Sequence, residues 1–485
     1  MIEHDLLGNI TVPDDKYYGA QTQRSLELCL ASREKLECYP EIIYSMAAIK
    51  KAYAEAHKSL GVLDEKSADS IIKASEEVMQ GEMSGEFPSD IVCGGGCVNI
   101  HMNINEVIAK RANELLTGHK GNEKIHPNTH VNKGQSTNDV IPAAIKLAMY
   151  QNLTAVRDSV NVLKNSYVSK AEEYRDAVKV SRTCIQDAVP ITFGQFFGAS
   201  VSFLERQAET LDAVMRECLI LPLGATAVGT GLNMYEGASG LVFESLTRTM
   251  GTEVAQEKNL FDGLQYADVY VKVSSAVKAL MTGISKMARD IRFMSSGPRS
   301  GINEICIAPV QNGSSIMPGK VNPALPESMN VLAYLAIGTD AAVTAAAEGG
   351  ELELNVWEAV MITELIKLMQ MIPNMLKTFA GKCVDTIKVN EEHCRKEAED
   401  TLSSAAVISA LKGYQTGTEA AQYAHEKGLS LKCAAVESGC LSQEEADTFL
   451  DPLMLTDVSR TGRMLLDIVK KSNCEGTGQL PKNRK

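Results

Sequence analysis

A bundle of long helices is the fold this sequence predicts, on three observations. Four stretches, residues 144–174, 268–294, 325–348 and 356–384, repeat apolar residues every three to four positions, with abundant Ala, Leu, Met, Lys and Glu and few β-branched alternations. Each runs to about 25 to 30 residues, long enough to cross a domain at roughly 1.5 Å per residue. Between them lie short polar segments bearing glycine, at 93–103, 126–139, 181–195, 223–233 and 295–305. These fall where a helical pattern begins or ends, which is where a rigid scaffold presents its chemistry.

The 485 residues amount to about three typical domains, and apolar residues at 45% supply an extensive core. Residues 1–140 read as an N-terminal domain, 141–395 as the long bundle and 396–485 as a small helical C-terminal domain, with EGTGQLPKNRK (475–485) as a frayed tail. The last bundle helices are rich in small residues, as in AIGTDAAVTAAAEGG (336–350). Small residues let helices approach closely, and a bundle too apolar for its own surface buries the excess against copies of itself. A homo-oligomer is expected.

Composition excludes several function classes. The 48 basic and 61 acidic residues give a net charge of −13, which disfavours nucleic acid and anionic membrane as partners. The opening MIEHDLLGNITVPDD carries charge where a secretory signal needs an apolar run, and no segment reaches the roughly 18 uninterrupted apolar residues of a membrane span. A cytoplasmic protein with reduced thiols is expected. The 12 cysteines and 8 histidines are scattered. Cys93 and Cys97 lack a second pair, and Pro127 and Asn128 spoil a helical metal face between His126 and His130, so no metal site is expected.

The densest segment is NGSSIMPGKVNP, residues 312–323. It offers hydroxyls at Ser314 and Ser315, backbone amides freed by glycine and an ammonium at Lys320. A P-loop is excluded, because Val321 and not Ser or Thr follows the lysine and no strand pattern precedes it. A small anionic substrate facing so acidic a chain needs a local cation, and Lys320 supplies one.

GSSIMPGKVNP resembles the signature of the aspartase/fumarase superfamily. The resemblance continues in family order through QSTND (135–139), RTCIQDAVPITFGQ (182–195), GATAVGTGLN (224–233), SGPRSGINEI (296–305), ELNVWEAV (353–360) and LSLKCAAVESGCLSQEEADTFLDP (429–452), and so spans nearly the whole chain. It implies an all-α protein of three domains, a homotetramer with a superhelical core of long helices, and active sites each assembled from three subunits. The reaction it implies is an anti-elimination that leaves an unsaturated acid. Ser314 would be the base that removes a proton from carbon. Lys320 and Asn322, with Thr183, would hold one substrate carboxylate. Ser136, Thr137, Asn138 and Ser315 would surround the other end. Ser136 and Thr137 also have a plain reading as the N-cap of the following helix. No cofactor is implied, with divalent-cation activation left open.

Within the superfamily HVNKGQSTND, GPRSGINEI and NVWEAV resemble aspartases, so the resemblance implies conversion of L-aspartate to fumarate and ammonia. Two departures stand out. Aspartases usually read G-T-S-x-N-M-N where this chain has CVNIHMN, placing Val98 and Asn99 at positions of a threonine and a serine, and Cys184 follows Thr183 where His or Gln is usual. Either Cys97, Asn99 or His101 takes over the lost contacts, or the leaving nitrogen has few N–H bonds to satisfy. In the second case His101 or Glu358 recognises something other than a carboxylate, as in an ergothionase-like enzyme releasing trimethylamine from a histidine betaine. A fumarate hydratase and a non-catalytic structural homologue are weaker alternatives. HPNTHVN (126–132), which resembles a secondary anion site of the family, reads more simply as a capped turn.

Overall fold

The computed structural model describes residues 1–28 and 32–475; the expected tail lies, but for its first residue, outside them. The fold is all-α, with strands confined to two-stranded pieces. The principal helices are Pro40–Ser59, Glu65–Met79, Val98–Thr117, Thr137–Glu173, Phe193–Glu217, Ala238–Met250, Asp268–Met294, Ala324–Glu348 and Lys367–Lys382. Asp268–Met294 has the expected bounds. Thr137–Glu173 begins seven residues before the apolar pattern does, because its first turn is the polar Thr-Asn-Asp of QSTND. Phe193–Glu217 is a long helix outside the four predicted stretches. The stretch 356–384 is not one regular α-helix: Glu358–Val360 passes through a π-helical segment, Met361–Ile366, before Lys367–Lys382. Such wide turns are frequent at functional positions.

Two compact units share the chain. One comprises Met1–Asn161, Arg206–Ile284 and Asn330–Leu376, and the other Val162–Glu205, Ser285–Met329 and Lys377–Lys485. In the first, the helix Pro40–Ser59 buries Ile42, Met46, Ile49 and Tyr53 at helical spacing. Lys50 lies on that same apolar stripe and is fully buried. In the second, Val178–Thr183 pairs antiparallel with Gln186–Thr192, making a hairpin of what reads in sequence as a polar loop. Residues 402–450 close a small core of their own around Ile408, Ala420, Leu431, Ala435 and Ala446.

Two helices, Ala324–Glu348 and Glu358–Thr386, are long and apolar enough to cross a membrane, at mean hydropathy 1.3 and 1.2, and 44% and 50% of those windows is packed inside the chain. The first exposes Val331, Tyr334, Leu335 and Ile337.

Candidate functional site

The loop at 312–323 is built around a pinched neck. The Gly313 amide donates to the Lys320 carbonyl at 2.9 Å, and Asn322 Nδ2 donates to the Gly313 carbonyl at 2.8 Å. A Cβ at Gly313 would stand 2.5 Å from the Lys320 oxygen and 2.7 Å from the Asn322 nitrogen, so only glycine fits. Beyond the neck, Ser314 Oγ accepts from the amides of Ile316 at 3.2 Å and Met317 at 2.9 Å. Two N–H groups aimed at one hydroxyl oxygen favour its deprotonated form. Ser315 and Lys320 are exposed, and the Lys320 ammonium has no carboxylate partner among the described residues. Asn322 commits one N–H to the neck and keeps its carbonyl oxygen and second N–H.

The helix start at Ser136–Asn138 is a capping arrangement. Ser136 Oγ accepts from the Asn138 amide at 3.2 Å, and Asp139 Oδ1 accepts from the Ser136 amide at 3.0 Å. The N-cap reading is therefore correct for Ser136, whose own hydrogen is still available as a donor. Asp139 Oδ2 reaches on to the amides of Gly224 (3.1 Å) and Thr226 (3.0 Å), and Asn138 Nδ2 donates to the Ala227 carbonyl at 2.8 Å. Thus QSTND and GATAVG, distant in sequence, share one buried carboxylate. Burial raises Asp139 to about 6, against the pull of those backbone donors. Thr137 Oγ1 lies 2.8 Å from His101 Nδ1, and His101 is fully buried behind it, not on the open side.

Val98 opens the helix Val98–Thr117 and is 44% exposed. It lines a cavity of about 710 Å³ together with Gln21, Arg24, Ser25, Cys93 and Asn99. Asn99 Nδ2 is spent on Ser25 Oγ (3.3 Å) and the Asp90 carbonyl (3.1 Å), and its Oδ1 has no partner among the described residues. The Cys93 and Cys97 thiols hydrogen-bond to each other, which lowers the Cys93 pKa and raises that of Cys97. Glu358 is buried, and burial pushes its carboxyl up to about 7. Thr183 and Cys184 sit at the exposed tip of the hairpin. Its two-residue turn puts Cys184 at φ 54° and Ile185 at φ 62°, a strained choice where Gly or Asn is usual, and most so for a β-branched residue.

The candidate residues fall into two sets. Val98, Asn99, Ser136, Thr137 and Asn138 belong to one compact unit, and Thr183, Cys184, Ser314, Ser315, Lys320 and Asn322 to the other. Among the described residues no hydrogen bond joins the hairpin tip to the 313–322 loop. Sequence reasoning missed Lys50 and Asp139. A lysine on an apolar helical stripe is the signal that points to the first.

The turn 126–132 is capped as expected: His126 Nδ1 accepts from the amides of Asn128 (3.2 Å) and Thr129 (3.3 Å), and His130 Nδ1 from the His126 amide at 2.9 Å. No cluster of three metal-ligating side chains occurs among the described residues.

Comparison with known proteins identifies related chains. Residues 8–338 match the lyase family and residues 407–457 the fumarase C C-terminus. An aspartate ammonia-lyase from Bacillus sp is 39% identical over 463 residues, covering 95% of this chain and 98% of that protein. A class II fumarate hydratase from Halalkalibacterium halodurans is 38% identical over 456 residues, 93% of this chain and 97% of that one. The crystal structure of fumarate lyase:delta crystallin from Brucella melitensis bound to cobalt superposes with a TM-score of 0.91 at 36% identity, covering 94% of this chain and 99% of its own.

Proposed function

The chain belongs to the aspartase/fumarase superfamily of lyases, and from that premise we propose that it eliminates ammonia from L-aspartate to give fumarate, with Ser314 as the base. The observation that carries this reading is the pair of backbone amides on Ser314 Oγ. A serine hydroxyl is a poor base at neutral pH, and donors fixed on its oxygen make it a usable one. Lys320 and the free N–H of Asn322, with Thr183, hold one carboxylate. Ser136, Thr137, Asn138 and Ser315 take the other end, and donors on the oxygens of the doubly charged enediolate supply most of the acceleration. The reading requires no cofactor, and a chelator titration checks whether a divalent cation activates the enzyme.

We assign the assembly as a cytoplasmic homotetramer. The exposed row Val331, Tyr334, Leu335 and Ile337 supports association of copies, since an isolated chain would leave it in water. The division into 1–140, 141–395 and 396–485 belongs to the same reading, supported at its C-terminal end by the separate core of residues 402–450.

A second reading draws support from Val98. The cavity wall there offers the apolar Val98 side chain, which suits a methylated nitrogen better than an ammonium. Ser314→Ala tests the main reading. Turnover of L-aspartate falls by about 10²–10⁴-fold with the fold intact, and a variant retaining more than about a tenth of the activity removes Ser314 from the role.

A further inference from the structure

Lys50 and His101, neither with any exposed surface, stand in line behind Thr137. Lys50 Nζ lies 2.6 Å from His101 Nε2, 2.9 Å from Asn132 Oδ1 and 2.9 Å from Gln135 Oε1. The far ring nitrogen, His101 Nδ1, lies 2.8 Å from Thr137 Oγ1. The chain of contacts comes from four places in the sequence: the helix Pro40–Ser59, the helix Val98–Thr117, the turn at 132–135 and the start of the helix Thr137–Glu173.

The amide groups settle which way the hydrogens run. Asn132 Nδ2 donates to the Gln135 carbonyl at 3.3 Å, and Gln135 Nε2 donates to the carbonyls of Val131 at 3.0 Å and Lys133 at 3.3 Å. Both amide oxygens therefore face Lys50 and accept from it. An ammonium has three N–H groups and no lone pair, so the third donates to His101 Nε2. The ring proton then resides on Nδ1 and is donated to Thr137, whose own hydroxyl hydrogen must point away from His101. A neutral lysine reverses the chain: its lone pair accepts from Nε2–H, Nδ1 accepts from Thr137, and the threonine presents only lone pairs. Burial lowers Lys50 well below an ordinary lysine, and the nearby Asp139 carboxylate opposes that. Burial also keeps the His101 ring neutral. The two amide oxygens accept from Nζ in either form, and the nearby Asp139 carboxylate favours the charged one, in which His101 Nε2 is the third acceptor.

We propose that Lys50 and His101 are positioning residues that hold the hydroxyl hydrogen of Thr137 outward, so that Thr137 donates to an anionic oxygen, the far carboxylate of the substrate. The inference rests on the reading of Thr137 as a substrate-binding residue. It makes His101 a component of specificity without contact to substrate.

Magic-angle-spinning NMR of the full-length enzyme labelled with ¹⁵N-histidine, with His101 assigned by difference from His101→Gln, reads the tautomer directly. A protonated Nδ1 beside an unprotonated Nε2 is expected; a protonated Nε2 overturns the proposal. Steady-state kinetics with L-aspartate supply the second readout. Thr137→Val and Lys50→Met each raise KM about tenfold to a hundredfold with a smaller change in kcat, as for a bond made equally in ground and transition states. His101→Gln keeps an acceptor toward Lys50 and a donor toward Thr137, so its KM stays within about threefold, whereas His101→Leu behaves as Lys50→Met does. If Thr137→Val leaves KM unchanged, the substrate role of Thr137 fails and the proposal with it. If Thr137→Val raises KM while His101→Gln and His101→Leu are equally impaired, only the positioning role fails.

Discussion

Gly313→Ala asks how closely the neck of the 312–323 loop controls the chemistry. The added Cβ falls 2.5 Å from the Lys320 carbonyl oxygen, where ordinary contact begins at 3.4 Å, so the oxygen must retreat by about 0.9 Å. The atoms it meets are backbone and cannot swing aside. The retreat strains two bonds at once, Gly313 amide to Lys320 carbonyl and Asn322 side chain to Gly313 carbonyl. Ser314 is the next residue, and its Oγ takes its amide partners from within the displaced segment. A displacement of about 1 Å at a reacting group costs on the order of 10²-fold. Steady-state release of the conjugated diacid from L-aspartate, followed by ultraviolet absorbance, should show that fall in kcat/KM. Thermal melting should be nearly unchanged, because the loop is largely exposed. A variant within tenfold of the parent would refute the idea that this neck positions the base.

Mixing inactive Ser314→Ala chains with inactive Thr183→Ala chains should restore part of the activity, through hybrid oligomers in which one site draws both intact residues from different copies; hybrids that form yet stay inactive would oppose shared sites. Glu358 gives a pH prediction. Its folded pKa of about 7 lies above the ordinary 4.5, so the ionised form costs stability increasingly as pH rises through that window. Glu358→Gln should therefore gain on the parent by up to about 3 kcal/mol between pH 4.5 and 7, and parallel melting curves across that range would contradict the burial argument.

Much of the site is legible in the sequence because its segments are local. The loop at 312–323 carries its glycine, serines and lysine within a dozen positions, and its amide bonds to Ser314 span only two and three residues. Asp139 sits inside the QSTND motif, yet its work lies in reaching Gly224 and Thr226, a contact that no spacing announces. Lys50 and His101 are 51 residues apart, and their meeting depends on how two helices pack. The hairpin at 178–192 reads as a loop because its turn residues, Cys184 and Ile185, are not the usual turn formers. The helix Phe193–Glu217 escapes a reading by segments because its first residues belong to the polar stretch 181–195.

The most direct test is a side-by-side assay of purified wild-type enzyme with L-aspartate, L-malate and a trimethylated betaine. Fumarate and ammonia should form from L-aspartate with kcat near or above about 10 s⁻¹, the median for enzymes, with little turnover of the other two. No diacid from L-aspartate, with release of trimethylamine from the betaine or dehydration of malate, would contradict the assignment as an ammonia-lyase.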